Sequence, residues 1–251
     1  MEEASQTWFL SLNRNSVSMS SERESCFYLA EILQQTHRIS DAVDNIKRGI
    51  DICPELSNSE FNLVSLVFKK AIQVPRNGIK YLDNILDENV SGETSFPKDH
   101  VIKTKTGLVR ELTDICNDFI NLIENLLLPK AKNPESMVNL LKLIGDYFRY
   151  ISEVQNIPDR SEYVEKSLKH YERAVKVAQE SLEPFSLVCV ALSINYAVCL
   201  YEVGNNKEKA IEIGQKTLHD LSSNLNVYEG ETLNEAKELI TQIQDNLRNW
   251  T

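Results

Sequence analysis

Residues 137–154, MVNLLKLIGDYFRYISEV, decide the fold class of this chain. Apolar side chains recur in this stretch every three or four residues, which is the period of one face of an α-helix. The charged residues Lys142, Asp146, Arg149 and Glu153 recur at spacings of four, three and four and share another face. No segment of the chain shows a sustained alternation of apolar and polar residues. The sequence therefore predicts an all-α protein without a sheet.

The same period predicts nine helices, near residues 25–36, 39–52, 57–87, 98–128, 134–155, 160–182, 185–203, 207–223 and 231–250. The breaks between them carry capping and turn residues. The run ELSNSE (55–60) supplies a Ser to cap the third helix, and Pro134 is placed to start the fifth and Gly204 to end the seventh. Residues 1–24 are rich in Ser, Asn and Glu, and we predict a flexible N-terminal extension there. Residues 25–251 then form one helical domain.

Overall charge restricts the partners. The chain has 251 residues, of which 42% are hydrophobic, and a formal net charge of −10. An acidic chain repels nucleic-acid phosphates and anionic lipid surfaces, so we expect neither nucleic acid nor membrane as a partner. A phosphorylated ligand would therefore require a local cluster of Lys and Arg side chains.

Cysteine and histidine usage does not indicate metal or redox chemistry. The five cysteines are far apart, no CxxC occurs, and the four histidines lack metal-ligand spacing, so we expect reduced thiols and no metal or cofactor. No apolar run approaches the ~20 residues of a membrane span. The opening MEEASQTWFLSLNRN is not a secretory signal. These features predict a cytoplasmic protein.

Two helices carry basic side chains on one face. On the third helix, Lys69, Arg76 and Lys80 lie within about 40° of one another at about 100° per residue. On the fifth, the carboxylates of the charged row are spaced to orient Arg149, and Tyr150 adds a hydroxyl beside it. The alternative is a solvated face in the third helix and surface ion pairs in the fifth, worth only ~0.3–0.5 kcal/mol each.

Polar and apolar residues also share a face on the seventh and last helices. The residues concerned are Ile194, Asn195, Val198 and Glu202 on the seventh helix, and Leu239, Asn246 and Trp250 on the last. An Asn within an apolar helix requires a hydrogen-bond partner, which is either a bound peptide backbone or a neighbouring helix. Core packing alone would also explain the residues of the last helix.

Several runs of the sequence, taken in order, resemble the 14-3-3 family. They are ELSNSEFNLVSLVFKK (55–70), ELTDICNDFINLIENLLLP (111–129), ESMVNLLKLIGDYFRYISEV (135–154) and DNLRNW (245–250). The resemblance covers residues 30 to 251. It implies nine antiparallel helices in an L-shaped subunit with a concave amphipathic groove, assembled as a cup-shaped dimer. It also implies a non-enzymatic adaptor that binds phosphoserine or phosphothreonine segments of client proteins.

The resemblance assigns a role to individual residues. Lys69, Arg76, Arg149 and Tyr150 match the phosphate pocket of the family. The match to the rest of the peptide groove comprises Asn195 and Asn246 for the main chain, Glu202, Trp250 and Lys142 as polar groups, and Ile194, Val198 and Leu239 as the apolar wall. Guanidinium and ammonium groups suit a phosphoserine, which carries about −1.5 to −2 charges and three acceptor oxygens.

The dimer contacts are only partly present. Arg38 and Glu111 match a salt-bridge pair between subunits of the family, and Asp41 matches half of a second pair. Gly107 stands where the Lys partner of Asp41 is expected. We therefore predict a homodimer that is weaker than is usual for the family.

Departures from the family pattern also occur near the phosphate pocket. Pro75 and Lys80 stand where the family usually has Arg, and Gln242 stands where an apolar groove residue is usual. Pro75 is expected to kink the third helix at a cost of ~3 kcal/mol, and Gly78 to add slack beside it. We therefore expect Arg76 to be displaced and the affinity for phosphopeptides to be lowered.

Two other functions compete with this interpretation. The run NYAVCLYEVGNNKEKAIEIGQKTL has the small-residue spacing of a TPR-type scaffold, although no 34-residue period runs through the chain. A 14-3-3-like fold that has lost phosphate binding is the second alternative. No GxSxG, HExxH, P-loop or Rossmann motif occurs, so the sequence does not indicate an enzyme.

Overall fold

The computed structural model describes residues 20–91, 96–155 and 159–250. Within these ranges the chain forms nine α-helices and no strand, which confirms the predicted all-α class. The helices are α1 (20–35), α2 (Ile39–Ile52), α3 (Asn58–Ser91), α4 (Lys98–Leu122), α5 (Pro134–Val154), α6 (Asp159–Ser181), α7 (Leu187–Glu202), α8 (Lys207–Ser223) and α9 (Gly230–Trp250).

The predicted helix starts at Ser57 and Pro134 are confirmed. The Oγ of Ser57 accepts the Glu60 N–H at 3.3 Å, and the Glu60 carboxylate accepts the Ser57 N–H at 2.7 Å. This reciprocal pair is a capping box that satisfies two otherwise unpaired donors at the start of α3. Asn133 caps α5 by accepting the Ser136 N–H at 2.8 Å, and Pro134 follows as the first helical residue.

Helix α1 includes residues 20–24, which the sequence analysis placed in the flexible extension. The reason is Arg23, which holds the start of α1 against the segment between α2 and α3. Its guanidinium donates to the Cys53 carbonyl at 3.2 Å and the Glu55 carbonyl at 2.6 Å, and pairs with Glu60 at 2.5 Å. Residues 1–19 of the predicted extension lie outside the described residues.

The fourth helix ends differently from the prediction of 98–128. Regular α-helix stops at Leu122, and the chain continues as a π-helical turn over Ile123–Leu127 and a 3-10 turn over Leu128–Lys130. Pro129 has no N–H with which to continue an α-helical ladder. The chain leaves α geometry at Ile123, six residues before this proline.

The chain divides into two compact units, Met1–Ile115 with Asn125–Lys130, and Cys116–Glu124 with Ala131–Thr251. In the first unit, α1 packs closely on α2 at Gly49, where a Cβ would lie 2.8 Å from the Phe27 ring. Lys70 on α3 donates to Gln34 on α1 at 2.5 Å. These contacts join α1, α2 and α3.

Gly78 does not add slack to α3, which corrects the sequence-based expectation. A Cβ at this position would lie 2.6 Å from the Leu108 side chain of α4. The glycine therefore permits a close approach of α4 to the α3 backbone. Helix α3 also continues through the buried Pro75 from Asn58 to Ser91 without a break in secondary structure.

In the second unit, α5 packs along α6, α7 packs against α6 and α8, and α9 covers α7 and α8. Eleven residues of α5 are buried, including its polar residues Asp146, Arg149 and Ser152. The α7–α8–α9 core contains Val190, Ile194, Leu221, Ala236 and Ile243. The charged face of α5 is therefore embedded in the core of the second unit rather than exposed.

Candidate functional site

The charged row of α5 is a buried ion cluster around Arg149. The residue is 7% exposed. Its Nη1 lies 2.6 Å from the Glu153 carboxylate one turn along the same helix, and its Nη2 lies 3.8 Å from Asp146 one turn before it. On α7, Glu202 approaches Nη1 at 3.9 Å. Two helices thus supply carboxylates that hold one guanidinium.

The environment of Arg149 keeps it cationic. Burial alone lowers its pKa, but the neighbouring Tyr171, Asp146, Tyr150 and Glu153 raise the pKa of Arg149 well above its ordinary value. Its Nε has no hydrogen-bond partner among the described residues, although it is buried. A buried cation with an unsatisfied donor is costly. The guanidinium is therefore a fixed cation within the cluster, and its buried Nε donor is left unsatisfied.

Asp146, beside Arg149 on the same helix, is itself held by three neighbouring side chains. It is 3% exposed and accepts the Tyr171 hydroxyl of α6. It also accepts the Asn195 amide of α7 at 2.8 and 3.0 Å, and the Lys142 ammonium at 3.3 Å. One carboxylate therefore joins α5, α6 and α7.

Gly145 makes room for this arrangement. A Cβ at Gly145 would lie 3.1 Å from three carbons of the Tyr171 ring, so only glycine allows the ring to approach the α5 backbone this closely. The Ser167 hydroxyl of α6 donates to the Gly145 carbonyl at 2.8 Å. Burial, followed by the charge of Asp146, raises the pKa of Tyr171 well above its ordinary value, so the phenol stays protonated and donates.

Tyr150 forms one side of the site. Its ring lies under the Arg149 guanidinium, 4.6 Å from Cζ to the ring centroid. Its other neighbour is Tyr147, in an edge-on contact at 5.5 Å between centroids. Tyr147 in turn packs edge-on against Phe119 at 4.6 Å. A row of edge-on aromatic rings from α5 and α4 thus supports the guanidinium.

The remaining predicted groove residues fall into two sets. Lys142, Asn195 and Glu202 belong to the ion cluster around Arg149, while Val198 is half-buried on the same helix as Asn195. Ile194, 4% exposed, lies in the α7–α8–α9 core, and Leu239 packs against that core.

Asn246 and Trp250 of α9 are both half-buried and border a small void that Ile194 also lines. Trp250 stacks on Tyr201 at 4.9 Å between centroids.

The other predicted residues belong to the first unit. Lys69 is exposed and Arg76 half-buried, and both lie on α3. Arg38 pairs with Asp41 on the same chain at 2.7 Å, so the carboxylate that lost its expected Lys has a partner within its own subunit. Glu111 is exposed on α4.

Sequence reasoning missed Tyr171 and Ser167, which hold Asp146 and the α5 backbone in place. A tyrosine or serine on a separate helix carries no local pattern that reveals such a contact. Among the described residues, no group of three or more His, Cys, Asp or Glu side chains is placed to hold a metal ion. No helix in the described part of the chain combines the length and apolar character needed to cross a membrane.

Comparison with known proteins gives a consistent result. The family model of the 14-3-3 protein matches residues 29–251. The chain is 31% identical over 234 residues to 14-3-3-like protein 2 of Caenorhabditis elegans, covering 93% of each chain. It is 30% identical over 233 residues to 14-3-3-like protein GF14 epsilon of Arabidopsis thaliana, covering 93% of this chain and 92% of that one.

Proposed function

Because the chain belongs to the 14-3-3 family, we propose that it is an adaptor that binds phosphoserine and phosphothreonine segments of client proteins. Proteins of this family bind phosphorylated partners, form dimers and act without enzymatic activity. The match over nearly the whole chain also decides against a TPR-type scaffold. The observation that supports the proposal best is the buried guanidinium of Arg149, held by carboxylates from two helices.

Preorganisation makes Arg149 suited to a phosphate. A side chain that is already fixed loses little conformational freedom on binding, so more of the interaction appears as affinity. Its contact with Glu202 at 3.9 Å is too long for a hydrogen bond. A phosphate oxygen can therefore replace Glu202 as the partner of Nη1, while Glu153 remains in place.

Charge balance indicates that Arg149 does not act alone. In its cluster, the cations Lys142 and Arg149 face three carboxylates, those of Asp146, Glu153 and Glu202. A phosphate carrying about two negative charges requires further cations. We assign this task to Lys69 and Arg76 of α3, with Tyr150 as an additional hydroxyl donor.

Asn195 is suited to hold the ligand main chain. Its amide nitrogen donates to Asp146, which fixes the side-chain orientation. This leaves the amide oxygen as an acceptor for a peptide N–H. Asn246 is assigned the second main-chain contact, with Glu202, Trp250 and Lys142 as further polar contacts and Ile194, Val198 and Leu239 as the apolar side of the groove.

We propose that the chain forms a homodimer through residues of the first unit. We expect this homodimer to be located in the cytoplasm. Helix α1 exposes three large apolar side chains: Tyr28 at 72%, Leu29 at 47% and Ile32 at 59%. A second copy of the chain would cover such a patch. Arg38 is already engaged by Asp41, so its salt bridge to Glu111 of a partner would be formed in competition. This supports a weaker dimer, which sedimentation at low micromolar concentration would measure.

A paired titration tests the phosphate proposal. One fluorescent peptide is prepared in phosphorylated and unphosphorylated forms, and its fluorescence anisotropy is followed as protein is added at pH 7. We expect binding of the phosphorylated form only, weakening toward pH 5 because the second phosphate pKa is about 6. Equal affinity for the two forms would support the alternative, a 14-3-3 fold that has lost phosphate binding.

Two substitutions connect this result to the residues. Arg149→Lys keeps the charge but loses the planar fork, and should weaken phosphopeptide binding at least about tenfold. Arg173→Ala, an exposed cation of α6 outside the cluster, is the matched control and should change affinity less than about twofold. Circular dichroism checks that both variants are folded.

A further inference from the structure

The second unit contains a cavity that is lined by none of the residues assigned to phosphopeptide binding. It has a volume of about 560 Å³ and opens between α6, α7 and α8. This is within the roughly 300–1,000 Å³ that is typical of small-molecule sites. Its apolar lining comprises Val175, Ala178, Leu182, Cys189, Leu192 and Ile213. The space therefore suits the apolar body of a small ligand.

The polar residues of the cavity are not equally available to a ligand. Lys209 of α8 donates to the Tyr196 hydroxyl at 3.0 Å, and that hydroxyl lies 3.5 Å from the Glu172 carboxylate. These three groups therefore have one another as hydrogen-bonding partners. Their charges cancel, since one ammonium faces one carboxylate.

At the remaining positions cations outnumber anions. Lys176 of α6 and Lys216 of α8 line the cavity, together with one further carboxylate, Asp220. Neither ammonium makes an ion pair or hydrogen bond with any of the described residues. Two free cations against one carboxylate leave a local charge of about +1 in a protein of net charge −10. That balance favours a ligand with a single negative charge over a phosphate dianion.

We propose that this cavity binds an amphipathic monoanion of the medium-chain carboxylate class. The carbon chain occupies the space over Leu192 and Ile213, and the carboxylate is bound by Lys176 and Lys216. The inference does not depend on the phosphopeptide site, because none of the residues assigned to that site lines the cavity.

Calorimetric titration of the full chain with decanoate and with decan-1-ol tests the proposal. The two ligands have the same carbon chain and differ in charge. We expect saturable one-to-one binding of decanoate that is tighter than binding of the alcohol. Replacing both lysines, Lys176→Ala with Lys216→Ala, should weaken decanoate about fivefold and the alcohol less than about twofold. Lys169→Ala, on α6 but outside this cavity, should change neither.

Filling the cavity provides the second measurement. Ser193 lines it from α7 and is half-buried, so Ser193→Trp should abolish binding of both ligands. Circular dichroism reports whether the Ser193→Trp variant is folded, and if it is not, the lysine pair decides. Decanoate affinity that is unchanged by the lysine pair would overturn the proposal. Displacement of a bound phosphopeptide by decanoate would also overturn it, because the anion would then occupy the other site.

Discussion

The two units carry their proposed phosphate-binding cations in different settings. On α5 of the second unit, Arg149 is 7% exposed and held by Glu153, while Asp146 behind it is held by Tyr171, Asn195 and Lys142. On α3 of the first unit, Lys69 is exposed and Arg76 half-buried, beside a buried Pro75. The proposed phosphate-binding cation of the second unit is therefore part of its core, whereas those of the first unit lie at or near its surface.

This difference explains where the sequence departs from the family pattern. Pro75, Gly78, Lys80 and Gly107 lie in the first unit, and Gln242 is exposed on α9 of the second. An exposed cation or a dimer contact can be replaced at little cost to the folded subunit. Replacing a member of a buried ion cluster leaves its partners unpaired, which costs several kcal/mol. The folded protein therefore requires the arrangement around Arg149 for its stability, whether or not a ligand is bound.

The largest expected effect is on the stability of an Arg149→Ala variant. Removal of the guanidinium leaves Glu153 without its buried cation and Asp146 with Lys142 alone, so the free energy of unfolding should fall by about 3–5 kcal/mol. The exposed Lys69→Ala should change it by less than about 0.5 kcal/mol. Urea denaturation followed by circular dichroism measures both. Equal effects would show that the α5 cluster is no more structural than the α3 surface.

Replacing one glycine by alanine in each unit should change the free energy of unfolding in opposite directions. Gly145→Ala places a Cβ 3.1 Å from the Tyr171 ring, which is fully buried and bonded to Asp146. The cost of overpacking should exceed the gain in helix propensity, so the free energy of unfolding should fall by about 1–2 kcal/mol.

Gly107→Ala is the matched control because nothing lies within 4 Å of a Cβ there. It lies inside α4, so the change should stabilise the protein by about 0.5–1 kcal/mol. Thermal unfolding of the two variants compares them directly. A destabilising Gly107→Ala would mean that the α4 surface is packed against something, for instance a second copy of the chain.

The sequence predicts the helices well because each is specified locally. The hydrophobic period, the Ser57 cap of α3 and the Pro134 start of α5 are properties of neighbouring residues. The start of α1 is predicted less well, since the Arg23 contacts with Cys53, Glu55 and Glu60 join residues about thirty positions apart.

The candidate site shows the same limit. Spacing along α5 predicts that Asp146 and Glu153 flank Arg149, because residues three and four apart share a helix face. The bonds to Asp146 from Tyr171 and Asn195 span 25 and 49 positions. The sequence predicts that Gly78 loosens α3, because the close contact that requires this glycine is with Leu108 on another helix. Contacts of this kind require the tertiary structure.

A smaller effect is expected for Pro75→Ala, which restores a backbone donor to the Ala71 carbonyl. The helix gains about 3 kcal/mol, from which about 1 kcal/mol of unfolded-state entropy and about 1 kcal/mol of lost ring burial are subtracted. The free energy of unfolding should therefore rise by about 1 kcal/mol. Lys80→Ala, exposed on the same helix, should change it by less than about 0.5 kcal/mol.

The same pair of variants tests whether Pro75 impairs binding. If the proline displaces Arg76, Pro75→Ala should tighten phosphopeptide binding in the anisotropy titration. An unchanged affinity would show that α3 accommodates the proline without cost to the site.

The smallest expected effect concerns the ion pair between Arg23 and Glu60, which holds α1 against α3 in the first unit. Burial raises the pKa of Glu60, but hydrogen bonds from Arg23 and Ser57 outweigh it, so the pKa lies below its ordinary value of 4.5. A carboxyl group with a lowered folded-state pKa contributes stability above its unfolded pKa and loses it as pH falls through the folded one. Glu60→Gln should therefore lower the free energy of unfolding by about 0.5 kcal/mol at pH 7.

Below the folded pKa the two proteins should converge, because a protonated Glu has nearly the same shape and uncharged hydrogen-bonding groups as Gln. Urea unfolding between pH 7 and pH 3 measures the difference. Glu22→Gln is the control, since this carboxylate lies on the same helix and meets Arg48 at 3.6 Å with both side chains more than half exposed. Its curve should follow that of the unchanged protein. A Glu60→Gln deficit that persists at pH 3 would mean that Glu60 acts through its capping geometry rather than through its charge on Arg23.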